Sequence, residues 1–152
     1  MKLFFSVLLI SFSIIAHEGH EIPGTIPPAP HGGQLGEARH YHDEKKHNHK
    51  NAKEREVFFE VVKTKKTLKI YPNELLTKKH VKFIDMPIKS FSDTSIRLED
   101  ARKLTKFRPE FDVQKDHWVV KLDGIKARRL FVGIRTYFKG SKYKAKIQLE
   151  MR

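Results

Sequence analysis

The chain has 152 residues, with 31 lysines and arginines against 18 aspartates and glutamates, a formal charge of +13 at pH 7. That length suits one domain of ordinary size, and 39% hydrophobic residues is low for a packed chain yet above the level of full disorder. Cysteine is absent, which excludes a disulfide framework, a thiolate zinc site, an iron–sulfur cluster, a cysteine nucleophile and a bacterial lipoprotein anchor.

Residues 1–16 read MKLFFSVLLISFSIIA. Lys2 supplies a positive start, Leu3 to Ile15 is apolar apart from three serines, and Ala16 ends the run with a small residue. This is the pattern of a secretory signal peptide, shorter than the roughly 20 residues that span a bilayer. The expectation is cleavage after Ala16, export to a bacterial periplasm, and no stable membrane span after processing.

Residues 17–53 carry seven of the nine histidines: His17, His20, His31, His40, His42, His47 and His49. They also hold Pro23, Pro27, Pro28 and Pro30, five glycines, and almost no large aliphatic residue. Such a stretch buries too little apolar surface to offset its ordering entropy, so a flexible histidine-rich arm is expected.

From residue 54 to 152 the pattern is alternation. Val57, Phe59 and Val61 share one strand face, with Phe58, Glu60 and Val62 on the other. Thr67–Tyr71 alternates up to Pro72-Asn73, a turn signal. Only weak helical spacing follows, around Glu74–Lys79. Further strands are expected at Val81–Ile84, at Ser95–Glu99, and near Lys103–Phe107, the last confined to an edge by Pro109. Asp116–Leu122, Arg129–Phe138 and Lys142–Met151 alternate most cleanly, with turns at Asp123-Gly124 and Lys139-Gly140-Ser141. Short strands, frequent turns and no alternating helices predict an all-β fold, an immunoglobulin-like antiparallel β-sandwich of seven or eight strands.

The chemistry points to the arm. Neutral imidazole is the common protein ligand of divalent transition metals, and affinity order favours copper over zinc, nickel or cobalt. Cleavage after Ala16 would begin the mature chain His17-Glu18-Gly19-His20, whose α-amine and imidazole chelate one ion through the same residue. His40, His42, His47 and His49 form a second cluster, with His31 between the two. His80 and His117 stand isolated in the sandwich and read as ordinary histidines. There is no Gly-x-Ser-x-Gly, phosphate loop or His-Glu-x-x-His, so no enzyme is expected. Export and the absence of an RNA-binding aromatic signature argue against nucleic acid. The alternative reading is a lysine-rich envelope module that contacts an anionic surface or a protein partner, the arm serving only as a linker.

The order of motifs adds a likeness. Ala16-His17-Glu18-Gly19-His20 is followed by Pro30-His31-Gly32-Gly33-Gln34-Leu35, then by Phe58-Phe59-Glu60-Val61-Val62-Lys63 and Thr67-Leu68-Lys69-Ile70-Tyr71-Pro72. This resembles the small periplasmic heavy-metal-binding domain that accompanies, or is fused to, adaptor subunits of bacterial heavy-metal efflux pumps. The resemblance implies a β-sandwich and periplasmic handling of copper, zinc or cobalt, with an efflux adaptor as partner. It also implies His31 as a ligand, with His17 and His20 from the upstream element. The chain departs from the pattern in a His- and Lys-rich insertion, His40 to Lys53, and in its abundance of lysine.

Overall fold

Alternation of apolar and polar residues puts every second side chain on one face, and two such faces closed on each other make the fold of this protein. The computed structural model describes residues 26–41, 56–77 and 81–151. The expected signal peptide, and His17, His20, His42, His47, His49 and His80, lie outside the described residues.

In chain order the strands are β1 (Gln34–Glu37), β2 (Arg39–Tyr41), β3 (Val57–Lys63), β4 (Thr67–Leu76), β5 (Lys82–Asp85), β6 (Phe91–Asp100), β7 (Lys106–Phe107), β8 (Phe111–Val113), β9 (Trp118–Lys121), β10 (Arg129–Phe138) and β11 (Ser141–Glu150). A single 3-10 turn, Ile88–Ser90, precedes β6, and among the described residues there is no α-helix. Nor is any described helix long and apolar enough to cross a membrane.

One sheet runs β1-β3-β4-β9-β8, with β5 also paired to β4, and the other runs β2-β11-β10-β6-β7. All the pairings are antiparallel. The expected immunoglobulin-like antiparallel sandwich is what forms, in eleven strand segments among the described residues rather than seven or eight. Phe59, Leu68, Ile70, Trp118 and Val120 from the first sheet meet Leu98, Leu130, Val132, Ile134 and Ile147 from the second, all essentially buried. Each such side chain contributes about 1.5–3 kcal/mol. Trp118 anchors this core, its ring 6.2 Å from Phe59 and 5.7 Å from Phe91.

Three expectations are corrected. The sandwich does not begin at residue 54: Gln34–Glu37 pairs with β3, and Arg39–Tyr41 pairs with β11, so part of the supposed arm, His31 and His40 included, belongs to the folded domain. Composition misled here because backbone pairing and close approach, rather than large side chains, attach this segment. Glycine at position 36 lies against the side chain of Ile147, and Ala38 N–H donates to Val57 O at the crossing between sheets.

The second correction is at Pro72, where β4 continues instead of turning. Thr64 N–H donates to Thr67 O at 2.9 Å, so Glu60↔Tyr71 and Phe58↔Asn73 are hydrogen-bonded pairs and Phe59↔Pro72 is not. The proline nitrogen therefore faces the other side of β4. There β9 ends at Ile70↔Trp118, and just past Asn73↔Asp85 Met86 N–H donates to Pro72 O at 2.8 Å without a bond in return, so the proline sits where the pairing with β5 stops. The third is the weak helical spacing from Glu74, where Glu74–Leu76 is strand.

Candidate functional site

The outer face of the first sheet gathers the ionisable groups. Glu60 lies between Phe59 and Val61, both buried in the core, so its own side chain points outward, yet it too is fully buried. A carboxylate in that position needs donors. His31 N–H donates to its Oε1 at 2.9 Å and Oε2 at 3.2 Å, and Gly33 N–H donates to Oε1 at 2.7 Å. Gly32 between them has φ +72°, a conformation that glycine adopts at little cost. A Cβ on Gly33 would stand 2.6 Å from the carbonyl oxygen of Val61. Pro30-His31-Gly32-Gly33 is thus a clasp on Glu60, and both glycines are required by geometry.

The clasp delivers the His31 imidazole to Tyr71, the register partner of Glu60 on β4. The two rings stack with centroids 3.8 Å apart and planes 19° apart. His31 Nε2 lies 3.0 Å from both oxygens of Asp85, the last residue of β5. An ionised carboxylate only accepts, so Nε2 donates the proton in this contact.

A second imidazole meets the same tyrosine. His117 precedes β9, and its ring stacks with Tyr71 at 4.7 Å and 29°. Its Nδ1 lies 2.6 Å from Asp116 Oδ1, which leaves Nε2 as the nitrogen open to another partner. A carboxylate behind one ring nitrogen is the usual support of a metal-binding histidine. Beside Asp85, its register partner Asn73 is fully buried; its Nδ2 donates to Tyr71 O at 3.2 Å, and its Oδ1 has no hydrogen-bond partner.

The electrostatics follow from this crowding. Burial pushes the Tyr71 phenol above its ordinary value, and Asp116, Asp85 and Glu60 add to the rise. The His117 hydrogen bond holds Asp116 below the usual carboxylate range, with His31 contributing a smaller favourable field. Asp85 and Asp116 also border a cleft of about 810 Å³ whose walls include Met86, Ile88, Phe91, Phe111 and Trp118.

Of the seven candidate ligands, His31 stands in this constellation. His40 is on β2 in the opposite sheet, its ring 5.2 Å from that of Tyr143. The remaining five lie outside the described residues. Glu60, Tyr71, Asp85 and Asp116 were not singled out from the sequence, and His117 was read there as an ordinary histidine. The available signal was Glu60 itself, an acid flanked on its own strand face by Phe58 and Val62. Among the described residues no three His, Asp or Glu side chains are grouped to hold a metal unaided. No protein-family model, curated protein or solved structure matches the chain.

Proposed function

We propose that this protein is an exported, periplasmic binder of a divalent transition metal (copper, zinc or cobalt) that buffers or delivers the ion alongside a heavy-metal efflux system. The observation that carries the reading is the pair of carboxylate-backed imidazoles, His31 and His117, stacked with one tyrosine. The donor types suit a borderline cation: two carboxylate-backed imidazoles, with the Asp85 carboxylate beside one of them. Fewer than three of the charged or imidazole donors are grouped to hold an ion, so the remaining ligands come from His17 and His20 upstream and from His42, His47 and His49. The α-amine of His17 and any ring still protonated lose their protons as the ion binds, so uptake releases protons.

Calorimetric titration of the whole mature protein with Cu(II), Zn(II) and Co(II), repeated in buffers of different ionisation enthalpy, tests this. Sub-micromolar affinity with proton release is expected, and His31→Ala and His117→Ala should each weaken it about tenfold or more while the far-ultraviolet circular dichroism is retained. Affinity on the order of 0.1 mM, or affinity unchanged in both variants, rejects the reading.

A further inference from the structure

The outer face of the second sheet has a different chemistry, independent of the metal reading. Register places Arg135 on β10 opposite Lys144 on β11, and Lys144 opposite Arg39 on β2, so three cations stand in one row across three strands. The next row runs Arg97, Gly133, Lys146 across β6, β10 and β11. Like charges directly opposed across strands destabilise a sheet. Arg39, Arg97 and Arg135, and Lys106 on β7, have no ion-pair partner among the described residues. Lys146 is held upright at the wall, its Nζ 4.1 Å from the Phe131 ring centroid and 3.9 Å from Glu99 Oε1.

The floor supplies the second observation. Gly133 lies mid-way along the central strand of this sheet, where glycine costs conformational entropy and packs nothing. Its φ is not positive, and a Cβ there would find its nearest atom, the Arg97 carbonyl oxygen, at 3.7 Å. Neither conformation nor crowding requires glycine. Its effect is to lower the floor between Arg97 and Lys146 within the second row, in a trough of about 620 Å³. An isolated strand glycine leaves room for a ligand to approach the backbone closely.

We infer that the trough across β6, β10, β11 and β2 is a binding site for a linear phosphate polymer, seated on Gly133 and flanked by Arg97, Arg135 and Arg39. Adjacent strands lie about 4.8 Å apart and successive outward residues about 6.8 Å apart, so the cations repeat at a spacing that suits charges along a chain better than one compact anion. Guanidinium groups on both sides grip phosphate oxygens two at a time.

The test is binding of medium-chain inorganic polyphosphate to the whole protein, over a range of salt. Micromolar affinity is expected, with a log–log salt slope of about −3 if four cations each release about 0.7 counterion. Arg97→Glu with Arg135→Glu should weaken binding at least about tenfold. Lys65→Glu with Lys66→Glu, the same charge change in the exposed β3–β4 turn, should weaken it far less. Gly133→Val fills the trough without changing charge; it should cut binding by a similar factor while leaving the melting temperature equal or higher, which separates lost site from lost fold. Equal losses from the two charge-reversal pairs, or full binding by Gly133→Val, would overturn the assignment. So would orthophosphate competing as well per charge as the polymer, or binding only to phosphatidylglycerol vesicles.

Discussion

The two outer faces of the sandwich share one core and handle charge in opposite ways. On the first sheet Glu60, Asp85 and Asp116 are each satisfied from within the chain, by backbone N–H groups or by an imidazole. On the second, arginines and lysines oppose each other across strands, and three arginines have no ion-pair partner among the described residues. A charge answered internally builds structure, whereas a charge left unanswered awaits something else. Replacing Glu60 or Asp116 on the first face should therefore appear in stability, and replacing the arginines on the second in binding.

The sharpest way to break the comparison is Glu60→Ala. It leaves two N–H groups without their charged acceptor and opens a cavity, so stability should fall by about 3 kcal/mol in urea denaturation. A loss below about 0.5 kcal/mol would show that the clasp is ornamental. Gly33→Ala attacks the same clasp sterically and should cost about 1–3 kcal/mol, with the His31 contact to Asp85 disturbed in nuclear magnetic resonance spectra.

Protonation sharpens the comparison further. Because its His117 hydrogen bond depresses the Asp116 pKa, that carboxyl contributes stability that is present above its unfolded value and lost as pH falls through its lower folded value. Asp116→Asn should flatten that acid limb. Tyr71 has the opposite sign: its raised pKa contributes stability below the unfolded value near 10, lost as pH rises through the folded one. Phenolate absorbance should show a late-ionising tyrosine that is lost in Tyr71→Phe and shifted to lower pH in Asp116→Asn. The smallest effect belongs to the second face, where the exposed pair Arg129–Glu150, 2.7 Å apart, should yield only about 0.5 kcal/mol to Arg129→Ala.

Much of the fold could be read from local pattern. Arg129–Phe138 and Ser141–Glu150 are long enough for strict alternation to leave no other interpretation, and they pair over their whole length. The strands at 34–41 were not legible, because four- and three-residue segments with Gly36 and His40 show no period, and what fixes them is the exposed edge each one covers. His31 could be singled out from its Pro-His-Gly-Gly setting. Its partners could not, since Glu60, Tyr71, Asp85 and His117 come together through the registers of β3, β4, β5 and β9. His117 read as an ordinary histidine because nothing local shows that Tyr71 lies beside it.

The crossing segment 34–41 also bears on how the protein behaves in solution. β1 closes the edge of the first sheet along β3, and β2 covers part of β11 in the second. Chains cut within it would present seven-residue and ten-residue strands with unpaired N–H and C=O groups, templates for pairing with other copies. A truncation that removes residues 1–25 keeps β1 on β3 and β2 on β11, while one that starts at residue 54 bares both strands and should self-associate through them.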